Sequence, residues 1–122
     1  MEISIIISDL TVRAELNDSP TAELIADALP LTASFNTWGD EIYFAIPVEA
    51  ELDETARETV DVGDLGFWPT GNAFCIFFGP TPMSANGKIV PASAVNIIGR
   101  VTGDAAQFKT VMGASEVRVE AT

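Results

Sequence analysis

Leu65-Gly66-Phe67-Trp68, Pro69-Thr70-Gly71-Asn72 and Ala73-Phe74-Cys75-Ile76-Phe77-Phe78 follow one another without interruption, and their reading decides the fold class. The first and last runs are short and apolar, while the middle four are turn residues, so the simplest structure is a pair of β-strands joined by a turn. Ala73–Phe78 is apolar at every position. One face of that strand must point into a core and the other must be covered, and in a small barrel the expected cover is a helix. Cys75 lies inside this run and is expected to be buried and structural, because a reactive thiol needs an electropositive, partly exposed setting. It is the only cysteine. No intramolecular disulfide can form, which fits a cytoplasmic compartment.

Upstream, Ile3–Ile7 is β-branched and Thr11–Leu16 alternates with a period of two, which predicts a hairpin turning near Ser8-Asp9 with Leu10, Val12, Ala14 and Leu16 facing the core. Ser19-Pro20 predicts a helix start, with Ser19 as N-cap and proline at the first helical position. This helix should run over Pro20–Leu29, bury Leu24, Ile25, Ala28 and Leu29, and stop at Pro30. Leu31, Ala33 and Phe35, followed after Trp38-Gly39-Asp40 by Ile42, Phe44 and Ile46, return to period two and predict a second hairpin-like pair. Glu49–Glu58 is acidic with little apolar content, and reads as a solvated loop or short exposed helical turn. Downstream, Gly79–Gly87 is too rich in proline and glycine for regular structure and reads as a shaped loop. A strand is expected over Ala94–Val101, followed by a second helix over Asp104–Met112. In that helix Asp104 and Gln107 approximate a capping box, Phe108, Val111 and Met112 are buried, and Gly113 is the stop. Val117 and Val119 mark a last strand, bringing the count to about eight.

A chain of 122 residues is expected to form one domain over 1–122, with a single core. Eighteen acidic residues against six basic ones give a formal charge of −12. A surface of that sign repels phosphates and anionic headgroups, so neither a nucleic-acid nor a membrane partner is expected. The charge speaks to solubility; its functional alternative is the steering of a cationic ligand. No apolar run is long enough for a membrane helix, and no basic region precedes the apolar N-terminal stretch, so a soluble protein without a secretory signal is expected.

Four blocks, Thr37-Trp38-Gly39-Asp40-Glu41-Ile42-Tyr43-Phe44, Gly63-Asp64-Leu65-Gly66-Phe67-Trp68-Pro69, Phe78-Gly79-Pro80-Thr81-Pro82 and Asn96-Ile97-Ile98-Gly99-Arg100-Val101, occur in an order that spans nearly the whole chain. In them the sequence resembles the small prokaryotic cyclophilin-like proteins, an uncharacterised group. The resemblance implies a mainly β fold, a closed eight-stranded β-barrel with two short helices, as the local patterns do. Cyclophilins proper isomerise peptidyl-proline bonds with an arginine beside a proline pocket and carry Phe-His-Arg and Gln-Gly-Gly-Asp-Phe signatures. Neither occurs here, the chain has no histidine, and Arg13, Arg57, Arg100 and Arg118 stand in other contexts.

Absence of histidine removes Ser-His and Cys-His nucleophiles and the usual zinc ligand. Asp53, Glu54 and Glu58 lack the spacing of a calcium loop and read as a solvated face, so no metal and no cofactor is expected. Gly63-Asp64 and Gly79-Pro80 lack the glycine spacing and lysine of a phosphate loop and read as turns. Aromatic residues beside turns are what remains. Trp38, Tyr43, Phe67 and Trp68, with Glu41, Thr81 and Met83, are the candidate ligand-binding residues, whether for a peptide or a small molecule; their structural alternative is the filling of barrel ends. The expected function is ligand binding without the usual isomerase site. The alternatives are a divergent peptidyl-prolyl isomerase, marked by an arginine near the aromatic pocket, and a carboxylate-dependent small-molecule enzyme, marked by two facing carboxylates.

Overall fold

The computed structural model describes residues 1–122. Strands β1 (Glu2–Ile7) and β2 (Leu10–Leu16) form the first hairpin, with Ile7 opposite Leu10 and Ser8 in the left-handed region at φ 54°. Alternation buries Ile3, Ile5 and Ile7 on one strand and Val12, Ala14 and Leu16 on the other. Helix α1 (Pro20–Ala28) follows, capped by Ser19, whose Oγ accepts from the Ala22 N–H. Its buried face is Thr21, Ala22 and Ile25. Leu24, expected on that face, is 46% exposed. At about 100° per residue, positions 21, 22, 25, 28 and 29 fall within one stripe, whereas 24 lies outside it.

The expected second hairpin is realised only in part. Strand β3 (Leu31–Ser34) pairs with the last strand, β10 (Glu116–Ala121), and only β4 (Asn36–Thr37) pairs with β5 (Glu41–Ala45). Phe35 is buried and its N–H donates to the Ser115 carbonyl, so the segment hands over from one partner strand to the other at that residue. With β6 (Ala56–Arg57), β7 (Asp64–Trp68), β8 (Ala73–Phe77) and β9 (Val95–Val101), the order is β3-β10-β1-β2-β9-β7-β8-β5-β4, with β6 beside β9. Every pairing is antiparallel. No ladder joins the edge strands β3 and β4. Instead of a closed eight-stranded barrel, a ten-stranded sheet curls round the core, and its edges meet through the chain at Phe35. Eight of the ten strands have four or more residues; β4 and β6 have two each.

Ile25 of α1 and Phe108 pack into the inner core with Ile3, Phe44, Phe74 and Ile98. Phe44 stacks on Phe74 with ring centroids 5.1 Å apart, and Phe108 meets Phe78 at 5.9 Å. The second helix is a 3-10 helix over Ala105–Val111 and not an α-helix over Asp104–Met112. Asp104 does cap it, accepting from the Ala106 N–H, but Gln107 donates to the Asp104 carbonyl, so no capping box forms. The Thr110 hydroxyl takes the Gln107 carbonyl that an α-helix would offer to residue 111.

The outer face of β8 is covered by chain and not by a helix. Ala73, Cys75 and Phe77 pack under Val60, Ile89 and Val95, and Val60 and Ile89 form an isolated bridge. A bulge on β9 makes this double-sided arrangement possible. Leu65 faces Gly99 but Gly66 faces Ile97, and the extra residue, Ile98, resets the alternation. Val95 and Ile97 therefore belong to the outer cluster, while Ile98 and Val101 belong to the inner core.

The acidic stretch 49–58 is more than a solvated loop. The side chain of Asn96, with no exposed surface, accepts from the Asp53 N–H and donates to Thr21 Oγ1 and the Glu51 carbonyl. Thr21 in turn donates to the Asp53 carboxylate. Burial alone would raise the Asp53 pKa, but hydrogen bonds from Thr55 and Thr21 outweigh it and hold the group below the ordinary carboxylate value. Asn96→Ala leaves these three partners facing a void, so it should cost about 2–3 kcal/mol. The check is a lowered urea midpoint with an unchanged slope; a midpoint equal to that of the parent would contradict it.

Candidate functional site

One apolar concavity of about 250 Å3 opens on the outer side of the sheet, lined by Trp38, Glu41, Tyr43, Trp68, Pro91, Ala92 and Val95. Its floor is set by strand alternation. On β5, Ile42 and Phe44 enter the inner core, so Glu41 and Tyr43 must face the other way. Tyr43 lies opposite Cys75 on β8 and Glu41 opposite Phe77.

Trp38 stands on the turn entering β5, held by its own N–H to the Glu41 carbonyl. Gly39 has φ +61°, and a Cβ there would lie 2.8 Å from the Pro80 carbonyl, so only glycine lets the 79–82 loop approach. Asp40 completes the clamp. Its N–H donates to the Pro80 carbonyl, its carbonyl accepts from Phe78, and its carboxylate lies 3.9 Å from Lys109. Trp68 ends β7 on the opposite wall, and its Nε1 donates to Ser93 Oγ at 2.6 Å, which fixes the ring against the 91–93 segment.

Glu41 is the exceptional group. The residue is 6% exposed, its carboxylate meets no N–H or O–H donor and no cation within the protein but has the Cys75 thiol as a hydrogen-bond neighbour, and it lines the cavity. Burial pushes its pKa up to about 7, with the neighbouring Cys75 thiol opposing. Cys75, buried as expected, has its own pKa raised well above the ordinary value, first by burial and then by the Glu41 charge. The arrangement is a carboxyl poised to gain or lose a proton near neutrality, set among three aromatic rings with no basic side chain on the wall.

Of the seven candidate residues read from the sequence, Trp38, Glu41, Tyr43 and Trp68 are brought together here. The other three stand elsewhere. Phe67 points to the opposite face and is fully buried in the inner core, because it alternates with Trp68. Thr81 is buried below the wall. Its hydroxyl donates to the Val90 carbonyl, and Ser84 Oγ accepts from the Thr81 and Val90 N–H groups, which pins the chain just before Pro91. Met83 is 53% exposed outside the cavity. Sequence reading missed Pro91, Ala92 and Val95 as wall residues. Nothing local showed that the bulge at Ile98 turns Val95 outward.

None of Arg13, Arg57, Arg100 and Arg118 lines the cavity; Arg100 pairs with Asp64 at 3.3 Å, and Arg13 and Arg118 pair with Glu2 and Glu120. No second carboxylate faces Glu41 across it. No group of three or more His, Cys, Asp or Glu side chains is placed to hold a metal ion, and no helix is long and apolar enough to cross a membrane.

The profile of a family described as Cyclophilin-like matches residues 1–120. The solution structure of the hypothetical protein AF2241 from Archaeoglobus fulgidus is similar over 100% of this chain and 95% of its own, with 41% identity and a TM-score of 0.83. McbB, solved in complex with tryptophan, shares the fold at 18% identity and a TM-score of 0.72, over 98% of this chain and 44% of McbB. Among curated proteins none matches.

Proposed function

The chain belongs to the cyclophilin-like family, and from that premise we propose that it binds a small organic ligand in the cavity between Trp38, Trp68 and the β5 floor. The observation that carries this reading is Glu41, a residue some nine-tenths buried whose carboxyl has no partner in the protein beyond the Cys75 thiol and is set in an aromatic wall. A buried polar group is ordinarily satisfied by its own fold, and one left open toward a cavity is satisfied by what enters it. The volume of about 250 Å3 suits a molecule of a dozen or so heavy atoms better than a peptide segment. McbB, which shares this fold over 44% of its length, was solved in complex with tryptophan, a ligand of about this size.

Both tryptophans of the chain, Trp38 and Trp68, line the cavity, so intrinsic fluorescence reports on it directly. Titration with phenethylamine, 2-phenylethanol and phenylacetate should give a saturable change with at least one. Tyr43→Ala, which removes one ring from the floor, should weaken that binding by about tenfold. Saturation by none of the three, or unchanged affinity in Tyr43→Ala, contradicts the reading.

A catalytic form of the same site, as a carboxylate-dependent enzyme, has one observation in its favour. A carboxyl with a pKa of about 7 in an apolar pocket is matched to proton transfer at neutral pH. Acting alone, Glu41 would serve as a single acid or base and not as half of a carboxylate pair. Exchange of a ligand C–H into deuterated buffer, lost in Glu41→Gln, is the measurement that separates catalysis from binding.

A further inference from the structure

Resting on the cavity being a ligand site, we infer that its ligand is an organic amine, bound as the ammonium ion with its N–H groups on the Glu41 carboxylate and its charge among the rings of Trp38, Tyr43 and Trp68. Three features of the site point the same way. The Glu41 oxygens are acceptors that meet no N–H or O–H donor and no cation in the protein, only the weakly donating Cys75 thiol, and an ammonium ion is a donor only. Aromatic rings carry negative faces and attract a cation that has left water, most strongly where the site is partly enclosed. No lysine or arginine lines the wall, so an anionic ligand meets no counter-charge while a cation meets Glu41.

Of the donors near the site, Trp38 Nε1 and the Tyr43 hydroxyl remain open but bring no positive charge, and the others are engaged. Trp68 Nε1 is committed to Ser93, and Lys109 lies against Asp40. Beyond the site, the net charge of −12 draws cations toward the protein and lowers the local concentration of anions. The titratable groups around Glu41 are Tyr43 on its own strand and Cys75 on β8, whose thiol is pushed up by burial; the 91–95 wall contributes none. An ammonium ion arriving at this carboxyl favours its charged form, so binding near neutrality must release a proton.

The test compares phenethylamine, 2-phenylethanol and phenylacetate, which share one apolar body and differ in charge, by tryptophan fluorescence and calorimetry on the intact protein. At pH 8.5, above the titration of Glu41 but below that of the amine, phenethylamine should bind at least about tenfold tighter than either analogue. The preference should shrink to about threefold or less at pH 5.5 and in Glu41→Gln at pH 8.5. Calorimetry of the unaltered protein at pH 7 in phosphate and in Tris should show about half a proton released per ligand, a readout that needs no variant. Equal or tighter binding of 2-phenylethanol or phenylacetate overturns the amine assignment while leaving the ligand site standing, as does an amine preference undiminished in Glu41→Gln. Saturable binding of none of the three overturns both.

Discussion

Glu41→Gln should make the unliganded protein more stable than its parent at pH 8.5 by about 2–3 kcal/mol, a gain that fades to near zero by pH 4. The folded-state pKa of Glu41 is raised from 4.5 to about 7 by burial. Between those values the folded protein holds a proton that the unfolded chain has lost. Its contribution to stability is therefore fully present below pH 4.5 and is lost as pH rises through 7. A displacement of this size corresponds to about 3 kcal/mol, and a neutral amide of the same shape escapes it. Other carboxylates titrate in both proteins and cancel in the difference. Urea unfolding of the pair at pH 4, 6, 7 and 8.5 decides the matter; curves that run parallel across this range would show that Glu41 is not desolvated. A side chain that lowers the stability of the empty protein at working pH is the kind of cost kept at a site for what binds there.

Gly99→Ala is expected to destabilise the fold by about 3 kcal/mol or more. Its backbone is ordinary, and the reason lies in what stands next to it. A Cβ on residue 99 would lie 2.1 Å from the Glu15 carbonyl oxygen and 3.0 Å from the Leu16 Cα, both backbone atoms that cannot turn aside. The β2–β9 ladder spans only Ala14–Leu16 against Gly99–Val101 and is flanked by the bulge at Ile98, so a displaced Gly99 strains the joint between the two halves of the sheet. Thermal unfolding should fall by about 10 °C or more. Gly113→Ala, where an added Cβ meets nothing within 4 Å, is the control and should stay within about 0.5 kcal/mol of the parent. Equal melting of the two variants would refute the close approach.

Period-two patterns and turn residues were sufficient for β1, β2, β7 and β8, because each of these strands lies beside its sequence neighbour and the hairpin turn declares the pairing. They failed at Leu31–Ser34. Alternation tells which side chains face inward but not which strand lies alongside, and the partner of β3 is β10, at the other end of the chain. The same boundary runs through the site. Glu41, Tyr43 and the two tryptophans were legible as polar or aromatic residues flanking turns. Phe67 was not separable from Trp68 by composition, only by the face of β7 on which each falls. Pro91, Ala92 and Val95 join the wall through a bulge and through the Thr81–Ser84–Val90 bonds, tertiary facts without a local signature. The helix over 104–112 shows a further limit. Its cap and its buried Phe108 were legible, but the competition of Thr110 for a carbonyl changed the helix type.

The handover at Phe35 bears on the order in which a growing chain can fold. As it leaves the ribosome, β1 finds β2 at once, but its other edge and that of β3 wait for residues 116–121, almost the whole chain later. Until then two strand edges stand open, and the bend at Phe35 has nothing to hold it, since its N–H bonds to Ser115. The last strand is thus the keystone of the sheet. Folding gated by contacts of such long sequence separation is slow for a chain of this length, and the waiting edges are where a nascent chain is most open to pairing with another copy of itself.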